Sequence, residues 1–314
     1  MKNRTMFGEF ILLGLTNQPE LQVMIFIFLF LTYMLSILGN LTIITLTLLD
    51  PHLQTPMYFF LRNFSFLEIS FTSIFIPRFL TSMTTGNKVI SFAGCLTQYF
   101  FAIFLGATEF YLLASMSYDR YVAICKPLHY LTIMSSRVCI QLVFCSWLGG
   151  FLAILPPIIL MTQVDFCVSN ILNHYYCDYG PLVELACSDT SLLELMISVM
   201  TATIVFIMIP FSLIVTSYIR ILGAILAMAS TQSRRKVFST CSSHLLVVSL
   251  FFGTASITYI RPQAGSSVTT DRVLSLFYTV ITPMLNPIIY TLRNKDVRRA
   301  LRHLVEGKHS HPSV

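Results

Sequence analysis

The chain has 314 residues, 55% hydrophobic and only 11% charged, against roughly half and about a quarter in an ordinary soluble domain. A mean hydropathy of +0.74, with 26 Phe, 14 Tyr and a single Trp, excludes a disordered, collagen-like or nucleic-acid-wrapping protein and makes a bilayer the natural solvent. The formal charge of +6 is too small and too scattered for a basic DNA-binding face, and no nucleic-acid partner is expected.

Crossing roughly 30 Å of hydrocarbon takes about 20 mainly apolar residues, and seven runs meet that need. In chain order they cover residues 21–49, 57–80, 92–118, 138–164, 195–219, 237–260 and 273–292. The first, fourth and fifth carry no Asp, Glu, Lys or Arg, the third only Glu109, and the sixth only His244. The second contains Arg62, Glu68 and Arg78, and is accepted partly because the neighbouring connections are short. The expectation is an all-α membrane protein, a seven-helix bundle over 21–292, with an outer tail at 1–20 and a cytosolic tail at 293–314.

Orientation follows from Lys and Arg in the short flanking loops. The segments after spans three and five and the C-terminal tail hold thirteen of them, the opposite face only five, and the loop 165–194 has five acids and no base. The N-terminus is therefore expected outside. No signal-peptide pattern precedes the first span, which serves as the insertion signal. Asn3-Arg4-Thr5 is a glycosylation sequon on the outer tail. Cys167, Cys177 and Cys187 lie ten residues apart in the acidic loop, and Cys95 starts the third span on the same face. Four cysteines in an oxidising compartment allow three pairings.

Polar residues inside a membrane are costly and mark function. Glu68 and Glu109 lie mid-span, where two acids facing one cavity hold a cation such as Na+ or share a proton; two neutral, hydrogen-bonded carboxyls are the alternative. No other cofactor and no metal site is expected. Arg120 is eleven residues beyond Glu109, about 16 Å along a helix, which puts it at the cytosolic mouth beside Asp119.

The strings LQTPMYFFL at 53–61, MSYDRYVAIC at 116–125, SYIRIL at 217–222, KVFSTCSSHL at 236–245 and PMLNPIIYTLRNKDV at 283–297, with Gly39-Asn40 in span one, occur in order along nearly the whole chain. In these the protein resembles the olfactory receptors of the rhodopsin-like (class A) G-protein-coupled receptors, and within them the terrestrial type (class II). The resemblance implies a multi-pass plasma-membrane receptor that binds a small odorant and activates a stimulatory olfactory G protein, raising cAMP. It implies disulfides Cys95–Cys177 and Cys167–Cys187. It implies a cytosolic switch of Asp119, Arg120 and Tyr121, with Arg120 released towards Tyr218 and Tyr290, a helix-seven hinge at Asn286, Pro287 and Tyr290, an activation histidine at His244, and Glu68 and Glu109 as the family's acidic pair. Lys236 belongs to the basic segment that would meet the G protein. Two positions depart from the family pattern: Gln54 stands where His is usual, and Phe252 where most members have Tyr.

The family places its ligand in the outer half of the bundle, and helical spacing nominates the residues. Ile103, Gly106, Ala107 and Phe110 form one stripe of span three. Facing candidates are Thr203 and Phe206 in span five, Phe252, Ala255, Ser256 and Tyr259 in span six, and Leu276 and Thr279 in span seven. Ala102 stands where amine receptors carry an aspartate, so the expected ligand is neutral. The rival reading is an ion- or proton-coupled transporter built on Glu68 and Glu109, but no internal repeat or matched pair of broken spans is visible. An enzyme is not expected, since no Gly-x-Ser-x-Gly, phosphate-loop or His-Glu-x-x-His string occurs.

Overall fold

The computed structural model describes residues 8–202, 208–259 and 268–305. Span one is the helix Pro19–Leu49, opened by proline in its first turn and closed where Asp50 turns into Pro51. It is apolar all round, yet only a stripe at helical spacing is buried, including Leu29, Thr32, Ser36, Asn40, Ile43 and Thr47. The remaining faces meet lipid.

Span two, Pro56–Thr85, runs past the apolar stretch and stops at Gly86, which takes φ +71° while its N–H closes on the Ser82 carbonyl. Span three, Phe92–Cys125, begins where the Ser91 hydroxyl accepts the Gly94 N–H at 3.1 Å and ends just before Pro127. It is buried on nearly every side and packs against spans two, four and five. Span four, Ser136–Met161, approaches it so closely that a Cβ on Gly150 would sit 2.1 Å from the Thr108 hydroxyl oxygen.

Span five is described as the stretches Ser191–Ala202 and Met208–Ala227. Span six is Thr231–Tyr259, of which Cys241–Ser256 is the apolar part. Span seven is Val268–Leu276, a wide π-helical turn at Phe277–Ile281, and Thr282–Arg293. Among the described residues six helices are long and apolar enough to cross a membrane, and Cys241–Ser256 adds a shorter seventh. Most helices overrun their hydropathic runs at one end or both, while span four stops at Met161, short of residue 164. Hydropathy reports the hydrocarbon slab, whereas helix ends are set by caps and prolines outside it.

Two elements were not anticipated. Residues Glu9–Leu12 of the outer tail form strand β1, which pairs antiparallel with β2, Val89–Ser91, and parallel with β3, Ile171–Leu172. The order is β2-β1-β3, with Ile11 facing Val89 on one side and Ile171 on the other. Phe10 anchors this sheet, fully buried and edge-on to Phe166 at 5.6 Å between ring centres. On the inner side Lys295–Val305 forms an amphipathic helix that buries Val297 and Ala300 and exposes Arg298, Arg299 and Arg302. The Asn294 side chain caps it, accepting the Asp296 N–H at 3.0 Å.

Candidate functional site

The sheet and the loop 165–190 form a lid, held by two disulfides. Cys95 joins Cys177 and Cys167 joins Cys187, with Cα separations of 5.4 and 5.8 Å. The first fixes the loop to span three, where the Gln98 side-chain carbonyl also accepts the Cys177 N–H at 3.0 Å. From this anchor His174, Tyr175 and Tyr176 pack into the mouth of the bundle, all buried. Tyr176 lies edge-on to Phe75 at 4.8 Å, and the Tyr175 hydroxyl meets the Thr279 hydroxyl at 2.9 Å. Burial, reinforced by the Arg272 charge, drives the His174 imidazole down to about 3, and it is neutral in the folded lid. Burial pushes the Asp178 carboxyl above the usual aspartate range, opposed by its hydrogen bonds from the Tyr179 N–H and the Tyr176 hydroxyl.

Below the lid, Gly106 faces span seven. A Cβ there would lie 2.7 Å from the Tyr278 hydroxyl oxygen and 3.8 Å from the Phe71 ring, so the missing side chain is what lets Tyr278 in. Tyr278 sets its ring edge-on to Phe71 at 5.6 Å and tilted against Phe251 at 5.7 Å. Phe110 packs edge-on against Phe251 at 4.6 Å and Phe252 at 4.9 Å. Ala102 and Ala255 are buried in the cluster that holds these rings, Leu276 packs against the same core, Ala107 is buried and Ser256 is half-buried. Ile103 turns instead towards the cluster beneath the lid. Thr203 and Phe206 lie outside the described residues, as does Asn3; Tyr259 and Lys236 lie on the span-six helix, their side chains outside the description.

Deeper still, the Asn286 amide donates to Glu68 Oε1. Glu68 and Glu109 are both fully buried and close enough to interact electrostatically. Four buried oxygens here, Ser65 Oγ, Glu68 Oε2, Glu109 Oε1 and Asn286 Oδ1, have no hydrogen-bond partner. At the inner end Asp119 is completely buried and accepts from both neighbours: from Arg120 Nη2 at 2.5 Å and Nε at 3.1 Å, and from the Tyr130 hydroxyl at 2.8 Å. Tyr218 does not reach Arg120 but meets His244 Nδ1 at 2.6 Å. Tyr290 is buried edge-on to Phe64, while Tyr121 packs with Tyr218 beside Cys241. Pro287 lies inside the last helical stretch of span seven.

Tyr278, Tyr175 and Tyr176 were not anticipated. The wide turn buries Tyr278, Thr279 and Val280 in succession, which no 3.6-residue period predicts. The two loop tyrosines owe their position to the disulfide beside them. A free-standing clue existed in the run His174-Tyr175-Tyr176-Cys177, an aromatic cluster in an otherwise acidic loop.

A seven-helix bundle with a disulfide-tied lid, an intramembrane acid pair and an Asp-Arg pair at its inner mouth has the architecture of a rhodopsin-like receptor. The fold superimposes on squid rhodopsin with a TM-score of 0.72, covering 94% of this chain and 89% of that one at 20% identity. The olfactory receptor family profile matches residues 29–308. Human olfactory receptor 6C4 is 78% identical over 306 residues, 98% of each chain, and human olfactory receptor 2AP1 is 64% identical over the same share. The chain belongs to the olfactory receptor family, class A G-protein-coupled receptors of the plasma membrane. It is a receptor and not an enzyme, and its membership sets aside the transporter alternative.

Proposed function

We propose that this odorant receptor takes a small neutral volatile ligand in the region around Gly106, and that the ligand-bound form activates the stimulatory olfactory G protein and so raises cAMP. The observation that carries the ligand class is the lining: Ala102, Gly106, Phe110, Phe252, Tyr278 and Thr279 are all uncharged and buried. An ammonium ligand finds no counter-ion among them. Apolar burial, at about 25 cal/mol per Å2, supplies most of the affinity, and the Tyr278 hydroxyl orients a carbonyl or alcohol.

The ligand acts by binding the active arrangement better than the resting one. Asp119 holds Arg120 and Tyr130 together, and Tyr218 is occupied by His244; this is a resting latch. Outward movement of the inner end of span six separates His244 from Tyr218, frees that hydroxyl for Arg120, and exposes the basic segment ending at Lys236 to the G protein. The acid pair is read as holding one Na+ or one shared proton. Its two unpartnered oxygens, with those of Ser65 and Asn286, are the donor type that suits a hard cation, and two buried carboxylates left ionised without one repel each other.

The test is cAMP production in cells that co-express the olfactory G protein, challenged with neutral odorants and amines. The expected result is a response to one or more neutral compounds that Arg120→Ala abolishes at unchanged surface density. A full response in Arg120→Ala, or a response confined to amines, overturns the reading.

A further inference from the structure

On the lipid-facing side of the outer half, spans two and three part to leave a crevice of about 320 Å3. Span two contributes Ile74 and Arg78, one turn apart; span three contributes Gly94, Thr97, Gln98 and Phe101 down successive turns. Thr97 is exposed and Phe101 is 42% exposed, so the crevice opens away from the odorant region and towards the bilayer.

Its polarity is graded along the membrane normal. The outer end is lined by Arg78, Gly94 and Thr97, whose hydroxyl donates to the Ala93 carbonyl at 2.8 Å, and the inner end is walled by Ile74 and Phe101. Arg78 is ten residues beyond Glu68, about 15 Å along the helix, which from mid-bilayer reaches the edge of a hydrocarbon core about 30 Å thick. Arg78 gives one Nη2 hydrogen bond to the Val89 carbonyl at 2.7 Å. Among the described residues no carboxylate lies within ion-pair distance of it. A guanidinium carries five N–H donors in a planar fork that matches phosphate. The anion present at this depth of a membrane is the lipid phosphate.

We propose that this crevice is a phospholipid site of the outer leaflet, with the phosphate on Arg78 and one acyl chain running inward past Thr97 over Ile74 and Phe101. The occupied crevice bears on the lid through its own wall. Gln98 donates from Nε2 to the Ile74 carbonyl at 3.1 Å and accepts the Cys177 N–H at 3.0 Å, so the residue that backs the lipid also holds the loop over the odorant region. Pro77, which removes a backbone donor one residue before Arg78, loosens span two where the bound lipid would brace it.

The experiment uses the full-length receptor in nanodiscs that contain a trace of diazirine-tailed phosphatidylcholine or, in parallel, an uncharged diazirine-tailed glycolipid. Peptide mapping after irradiation is expected to show phosphatidylcholine attached around Ile74 and Phe101 at least fivefold more than the glycolipid. Arg78→Gln is expected to remove that preference, and millimolar phosphocholine in solution is expected to leave it intact. Thr97→Trp fills the crevice while keeping Arg78, and is expected to lose the labelling; it decides the matter where Arg78→Gln does not fold. Equal labelling by the two lipids, or labelling unchanged in either variant, overturns the proposal. Competition by free phosphocholine overturns the lipid as the source of the phosphate.

Discussion

Gly106 and Tyr278 bring spans three and seven into close apposition in the region proposed to take the ligand. Because a Cβ at residue 106 falls 2.7 Å from the Tyr278 hydroxyl oxygen, Gly106→Ala must push that ring outward against Phe71 and Phe251. The expected outcome is an agonist potency at least tenfold weaker in a cAMP dose–response, with part of it recovered in Gly106→Ala/Tyr278→Phe, which relieves the clash but lacks the hydroxyl that orients the ligand. Failure of the double variant to recover would show that Gly106 acts through something other than this contact. At the inner mouth Tyr130 supplies Asp119 with a second donor besides Arg120. A hydrogen bond to a charged group is worth about 1.5–3 kcal/mol, so Tyr130→Phe is expected to raise ligand-free cAMP about tenfold at equal surface density. These residues were unequally legible. Asp119 and Arg120 stand in a recognisable string, and Gly106 sits in a helical stripe. Tyr278 breaks helical periodicity, and Tyr130 opens a single helical turn in a short connection, with no pattern to mark it.

At the scale of elements, the lid is where charge and burial oppose each other. His174 stacks on Tyr175 at 4.8 Å and meets Tyr176 edge-on at 4.4 Å between ring centres, with Arg272 donating nearby to the Asn173 carbonyl. The folded lid keeps the imidazole neutral down to about pH 3, whereas an opened lid protonates it near 6.5. This contribution to lid stability is therefore full above pH 6.5 and declines as pH falls below it. Asp178, raised by burial, works in the other direction, since acidification neutralises a carboxylate the folded lid disfavours. Hydrogen exchange corrected for intrinsic rates is expected to show the amides of residues 171–178 losing protection between pH 7.5 and 5.5. The loss should steepen in Asp178→Asn and vanish in His174→Phe. Span positions were readable from hydropathy because bilayer solvation acts on twenty residues at once. The strands of the lid were not, because two to four residues paired across 80 or more positions leave no local trace.

Across the whole molecule the acid pair lies between the odorant region and the latch. Asn286 links Glu68 to span seven close to Pro287, so the charge state at Glu68 and Glu109 bears on the hinge that both ends share. Replacing sodium with N-methylglucamine in membranes that contain the receptor and its G protein is expected to raise basal activity. Glu109→Gln, which leaves one carboxyl instead of two, is expected to abolish that sodium dependence. Persistence of the full dependence in Glu109→Gln would remove the pair from the mechanism. Gly39 contributes to the same region, its Cα so close to Pro287 that an added Cβ would lie 3.0 Å from the proline ring, which makes span one a fixed backstop for the hinge.

The outer sheet also imposes an order on biogenesis. Strand β1 is made first, yet one of its partners comes from residues 89–91 and the other from residues 171–172. One edge can therefore close once residues 89–91 follow the second span out, while the other stays open until the fourth span has been inserted and the loop beyond it has reached the lumen. The outer tail thus closes fully into place only on a chain whose first four spans have been threaded correctly.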